Sequence, residues 1–230
     1  MKSFLYLIII LFKLPAFADF KDCTSFFPNS LVPKLTIPDK TKELCFTSFA
    51  ILYSIKSKTP IYGIERLNKA NLKNKEKRSN NFYEEMQLGV SERSELSDYN
   101  KSGYDRGHII PAGNQDDEVS MKESFSLANM IPQTPQNNRN TWSKIESDTR
   151  KYVKRATGDV YVFTGSYNEN NKTVIGKNKV VVPTHIWKLV YDATTKRSWV
   201  FWVENKDGVK MTTPISYEEF VKKTGYKLLP

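Results

Sequence analysis

The sequence predicts one α+β domain, a central sheet with helices packed on it, and three features carry that prediction. Apolar or alternating runs that read as strands recur over 46–54, 159–164, 179–183, 185–192 and 198–204. Helical patterns are fewer: a short one over 121–128, a long one over 138–156 and a terminal one over 216–224. No internal repeat, low-complexity tract or linker interrupts the chain, so 19–230 reads as a single domain with a substantial core.

The first segment, 1–18, reads as a cleaved secretory signal and contributes nothing to the fold. Lys2 supplies the positive start, 5–12 is an unbroken apolar run, and Ala16-Phe17-Ala18 forms an A-x-A cleavage site before Asp19. The run is far shorter than the ~20 residues that span a bilayer, so no stable membrane anchor is expected. No cysteine stands at the cleavage point to take a lipid. Export leads either to a periplasm or to the medium. In such an oxidising compartment Cys23 and Cys45, 22 positions apart, read most simply as a disulfide, with two free buried thiols as the alternative. A loop of that size contributes about 3 kcal/mol, mostly by restricting the unfolded chain.

The formal net charge is +10, and loss of 1–18 removes Lys2 and Lys13 and no acid, leaving +8. A secreted basic domain suits a polyanion, and charge alone does not choose among nucleic acid, anionic lipid and cell-wall polymer. Segment 69–78 holds five cations and one acid and reads as a solvated loop. Near the C-terminus 205–208, Asn-Lys-Asp-Gly, is a turn signal. Ser216 with Glu219 forms a candidate capping box for the last helix.

Two segments carry chemistry. The first, Tyr104-Asp105-Arg106-Gly107-His108-Ile109-Ile110-Pro111-Ala112, sets one of only two histidines beside an arginine and an aspartate. The second, 129–146, passes from a proline-containing loop into the long helix, where Asn138, Trp142 and Glu146 are spaced i, i+4, i+8 and share one face. Asn138 and Glu146 lie about 12 Å apart on such a helix, so they play different parts. Asparagine near a helix start is commonly a cap. As a ligand it is a neutral oxygen that holds a hard cation weakly, with water and substrate phosphate completing the shell.

Taken together, YDRGHIIPA, the following NMIPQ and N-x3-W-x3-E resemble the DNA/RNA non-specific endonucleases built on a ββα-metal (His-Me) finger. That family includes endonuclease G and secreted bacterial sugar-non-specific nucleases. The resemblance runs from about 51 to 191 and includes Arg78-x-x-Asn81-Phe82, Asp98-Tyr99 and Pro183-Thr184-His185-Ile186-Trp187-Lys188. It implies a finger on a central, mainly antiparallel sheet flanked by helices, with 105–108 on the ββ part and Asn138 on the helix. It further implies His108 as general base, Asn138 as direct ligand of Mg²⁺ (or Mn²⁺ or another divalent ion), and Glu146 as a carboxylate one layer behind the metal. Arg106 and Arg78 would meet phosphate, with Arg93 as the alternative to Arg78. DNA and RNA are the implied substrates, cut to 5′-phosphates and 3′-hydroxyls. Oligomeric state, a homodimer included, and an accompanying inhibitor protein stay open. Tyr62 stands near the place where many relatives carry tryptophan.

The physical roles hold beside the resemblance. Phosphodiester hydrolysis needs an in-line nucleophile, neutralised phosphoryl charge and help for the departing alkoxide. A neutral imidazole takes a proton from water at physiological pH, and guanidinium forks match phosphate as lysine does not. Plain structural roles are expected elsewhere: an ion pair or hydrogen bond at Asp105, a satisfied histidine at His185, core packing at Trp142, Trp187, Trp199 and Trp202, and a turn or close backbone approach at Gly107. No helix-turn-helix or zinc finger is evident, so base reading is not expected. Two other classes remain open, a non-cutting binding protein and a phosphodiesterase for small nucleotides.

Overall fold

The computed structural model describes residues 19–72, 76–170, 172–211 and 213–230. The expected signal, 1–18, lies outside these residues. Among them no helix is long and apolar enough to cross a membrane.

Six strands form the central sheet: β1 (Thr41–Cys45), β2 (Phe49–Ser54), β3 (Thr59–Leu67) and, after the finger described below, β6 (Val160–Tyr167), β9 (His185–Asp192) and β10 (Ser198–Glu204). Their order is β1-β2-β3-β6-β9-β10 with every neighbour antiparallel. The expected α+β architecture is therefore present. β1 and β3 have no counterpart among the sequence-predicted strands. Lys42 and Glu43 hide the edge strand β1, while Pro60, Gly63, Glu65 and Arg66 break the apolar pattern of β3, although eight of its nine residues are buried. The expected strand 46–54 starts only at Phe49, because Phe46 N donates to Phe49 O at 2.9 Å and closes a turn. The expected strand 179–183 shrinks to β8 (Val180–Val181), paired with β7 (Val174–Ile175).

Alternation along the strands gives the sheet two faces. Ala50, Leu52, Tyr62, Ile64, Phe163, Trp187 and Leu189 point to one layer, closed by Phe20 and Phe27 of the N-terminal 3₁₀ turns and by Phe220 of the last helix, α4 (Tyr217–Thr224). Tyr62 thus packs on the far side of the sheet from the finger. Cys23 and Cys45 are joined by a disulfide that fastens this segment to β1. Ser216 accepts from Glu219 N at 3.1 Å and caps α4. Phe49, Ile51, Tyr53 and Ile186 point to the other face, where Ile109, Ile110, Ile131, Trp142 and Ile145 cover them. Trp142 is a core residue, as expected. Trp199 packs edge-on against Tyr152 on this face, and Trp202 against His185 on the opposite one.

The remaining elements build the second layer. They are α1 (Leu96–Tyr99), β4 (Asp105–His108), α2 (Glu118–Glu123), β5 (Met130–Gln133) and α3 (Ser143–Val153). The helix expected over 121–128 begins earlier, because Asp117 caps Val119 and Ser120, and it stops at Glu123 before a 3₁₀ turn over Leu127–Asn129. The helix expected over 138–156 is α3 preceded by a π-helical turn, Asn137–Trp142.

Candidate active site

β4 and β5 pair antiparallel, with Asp105 opposite Gln133 and His108 opposite Met130. The chain then enters the π-turn and α3, so two strands and a helix form one finger. Gly107 makes the pairing feasible: a Cβ there would lie 2.1 Å from Gln133 Oε1 and 2.6 Å from its Cβ. Gln133 Nε2 donates to Asn137 Oδ1 at 2.7 Å, and Asn137 Nδ2 donates to Glu204 O at 2.8 Å, which ties the finger to β10. Asn129 clamps the backbone just after His108. Its side chain accepts from Ile110 N at 2.8 Å and donates to Ile110 O at 2.9 Å and Ser124 O at 2.8 Å.

The His108 imidazole stands edge-on to Phe125, centroids 5.0 Å apart, and 5.7 Å from Phe82, with Nε2 enclosed and without a hydrogen-bond partner among the described residues. Burial, followed by the charges of Arg78 and Arg106, holds it down from 6.5 to about 3, so it is neutral at neutral pH. Arg106 lies 4.3 Å over the Phe82 ring and Arg78 5.0 Å over Phe125, so both guanidinium groups share the aromatic wall of the histidine. Arg93 is elsewhere, donating to Glu85 O at 3.4 Å. His185 is also remote, stacked on Trp202 and bonded to Thr184 Oγ1 at 3.0 Å.

Asp105 has the structural role expected. It accepts from Arg139 Nε at 2.9 Å and Nη2 at 2.7 Å, and from Asn138 Nδ2 at 2.9 Å. Burial alone would raise its carboxyl, but these donors outweigh it and hold the group below the usual carboxylate range. The Asn138 amide nitrogen is thereby engaged, and its carbonyl oxygen takes no donor among the described residues. Arg78, Phe82, Asp105, Arg106, Asn138 and Arg139 line one cleft of about 360 Å³, with Tyr99 and Tyr104 completing its wall. Glu146 is in α3 and outside this lining. Burial raises its carboxyl, opposed by Lys188, Arg150 and Arg78. Arg78 is the common neighbour, acting electrostatically on both His108 and Glu146.

Residues 29–230 match the family model described as DNA/RNA non-specific endonuclease. The chain belongs to this family. Among curated relatives of these nucleases, mitochondrial endonuclease G of Bos taurus is 32% identical over 169 residues, 68% of this chain and 56% of that protein. A nuclease of Nostoc sp. is 33% identical over 165 residues, 71% of this chain and 58% of that protein. The chain thus spans a little over half the length of these relatives. The solved EndoG in complex with EndoGI superposes with TM-score 0.72 at 25% identity, covering 84% of this chain and 86% of that one.

Within this endonuclease fold the donor set fits a hard divalent cation. The described residues hold no group of three or more His, Cys, Asp or Glu that could cage a metal. The free Asn138 carbonyl, in a cleft flanked by three arginines, offers a single neutral ligand and leaves the remaining positions to water and phosphate oxygens. Sequence reasoning missed Arg139, whose partner Asp105 is 34 residues away. It also gave no role to Glu65, Arg150 or Lys188, although a charge inside the apolar strand expected over 185–192 was a legible signal for Lys188.

Proposed function

We propose that this chain is an exported, divalent-cation-dependent endonuclease that hydrolyses phosphodiester bonds in DNA and RNA with little sequence preference. The observation that carries this reading is the finger itself, which sets an unbonded Asn138 carbonyl with Arg78 and Arg106 on one cleft and a neutral, buried His108 against Phe82 of its wall. Its membership of the non-specific endonuclease family points the same way. Export is supported by the signal pattern of 1–18 and by the disulfide, which suits an oxidising compartment.

Arg106 and Arg78 would hold a backbone phosphate through their guanidinium forks, Arg106 oriented by its stacking on Phe82. Such contacts read no base, which accounts for weak sequence preference. Phosphate binding would cancel the two guanidinium charges that, after burial, hold the imidazole down. His108 therefore becomes a stronger base when substrate is seated, and takes the proton of the attacking water. Asp105 and Arg139 would keep Asn138 in place. Mg²⁺, or Mn²⁺, held on Asn138 would supply Lewis acidity at the phosphate.

The test is cleavage of supercoiled plasmid and of RNA in Mg²⁺ and in excess EDTA, beside His108→Ala. Cleavage should vanish with EDTA and fall about 10²–10⁴-fold in the variant, the usual worth of a general base. Metal-independent cleavage, or a variant as active as the parent, would overturn the mechanism. Binding without cleavage in any divalent metal would overturn the function.

A further inference from the structure

Beneath α3 the sheet carries charged side chains that packing alone does not require. Glu65 in β3 and Lys188 in β9 are each only 1% exposed, on the face that the finger covers. Gly63, Thr164 and Lys188 form one rung across β3, β6 and β9, and Glu65 stands two residues along on the same face. Lys188 Nζ donates to Thr164 Oγ1 at 2.6 Å and lies 5.4 Å from the centre of the Trp142 ring. Glu65 Oε1 accepts from Asn114 Nδ2 at 2.8 Å, and Asn114 Oδ1 accepts from Arg150 Nη1 at 3.2 Å. Asn114 therefore bridges the sheet carboxyl to the helix guanidinium.

Among the described residues neither Glu65 nor Lys188 has an ion-pair partner within 4.0 Å. A buried ammonium with one neutral acceptor is expensive unless nearby charge compensates it. The carboxyl groups acting on Lys188 are Glu65 from the sheet and Glu146 from α3, while Arg150 opposes them. Glu146 in turn feels three cations, Lys188 from β9, Arg150 from its own helix and Arg78 from the loop above. Of these Arg78 is exposed and Arg150 partly so, whereas Lys188 is sealed from solvent. Screening weakens the first two far more than the third.

We infer that Lys188, seated beneath the face of α3 that carries Trp142, Glu146 and Arg150 at i, i+4 and i+8, is a positioning residue for the Glu146 carboxyl, and that Glu65, through Asn114 and Arg150, holds the sheet and helix around it. The inference rests on the nuclease reading above. It assigns a purpose to a charge in the middle of an apolar strand, because the ammonium offsets the burial that otherwise favours a neutral Glu146.

The experiment uses the full chain with its disulfide formed, plasmid and Mg²⁺. Wild type and His108→Ala come first, and absence of Mg²⁺-dependent cleavage there counts against the nuclease reading alone. Lys188→Met and the charge-balanced pair Glu65→Gln with Lys188→Met are then compared with Lys188→Arg, the pair being the variant that folds if the single one does not. The readouts are the carboxyl ¹³C titration of Glu146, assigned with Glu146→Gln, and the pH dependence of kcat/KM. In the neutral variants the Glu146 titration should move to higher pH by about one unit, a tenfold shift in its protonation equilibrium. The acid limb of activity should move with it, while Lys188→Arg stays near wild type. An unmoved titration in a folded neutral variant overturns the inference, whether or not the rate falls, since a lower rate alone would mark Lys188 as packing support.

Discussion

His108 is enclosed by Phe82 and Phe125 and flanked by two guanidinium groups, and that setting fixes how activity responds to acid. An ordinary imidazole is half-protonated near 6.5, whereas this one is held down to about 3. Activity should therefore persist well below the pH at which an unperturbed histidine would protonate, and its acid limb should follow the Glu146 carboxyl instead. A pH profile of kcat/KM with a limb at the ordinary imidazole position would contradict this. Gly107 makes a second prediction at the same scale. Gly107→Ala drives a methyl into Gln133, and overpacking of this kind costs about 1–3 kcal/mol. The urea midpoint should drop accordingly, while Gly208→Ala, whose added methyl meets nothing within 4 Å although its φ of 77° strains the backbone, should lose less.

At the scale of elements, the junction between β5 and α3 decides how the site is assembled. The π-turn inserts a wider turn between Asn138 and Trp142, so the evenly spaced face expected for Asn138, Trp142 and Glu146 holds only from Trp142 onward. The hydrogen bond from Asn138 Nδ2 to Asp105 holds Asn138 in its place instead. Asp105→Ala should leave circular dichroism unchanged but raise the Mg²⁺ concentration needed for half-maximal cleavage by about 10–100-fold, the usual effect of removing a group that orients a ligand. An unchanged Mg²⁺ requirement would mean that the π-turn alone places Asn138. This junction also shows what a one-dimensional pattern conveys. The residues Asp105, Arg106, Gly107, His108 and Asn138 were legible as a set because two short motifs carry them. Arg139 was not, because its salt bridge exists only after the finger closes. β3 escaped notice for a related reason: its glutamate is satisfied by Asn114 from the covering layer, and nothing local to 59–67 announces that partner.

For the whole molecule, the two faces of the sheet fail by different routes. Reduction of Cys23–Cys45 releases a loop worth about 3 kcal/mol, which for a domain of this size lowers Tm by about 6–12 °C. Calorimetry with and without reductant checks this, and an unchanged Tm would show that packing of Phe20 and Phe27 suffices. The face with buried charge responds to pH. Burial pushes the Glu65 carboxyl up to about 7 from 4.5, so the fold favours its protonated form. Its contribution is full below 4.5 and lost as pH rises through about 7. His108 has the opposite sign, with a contribution full above 6.5 and lost as pH falls toward about 3. Glu65→Gln should therefore shrink the loss of urea resistance between about pH 5 and about pH 8 relative to wild type. An equal loss in both proteins would remove Glu65 as its source.

The crowding of positive charge around His108 also bears on how the catalyst is made ready again. Under the mechanism proposed above, a phosphate in the cleft would offset the Arg78 and Arg106 charges and ease a proton onto the imidazole, against burial, which is the larger cause and acts throughout. Once the cut strand departs, the two guanidinium charges would again add to burial in favouring the neutral ring. Emptying the cleft and rearming the base would then be one event.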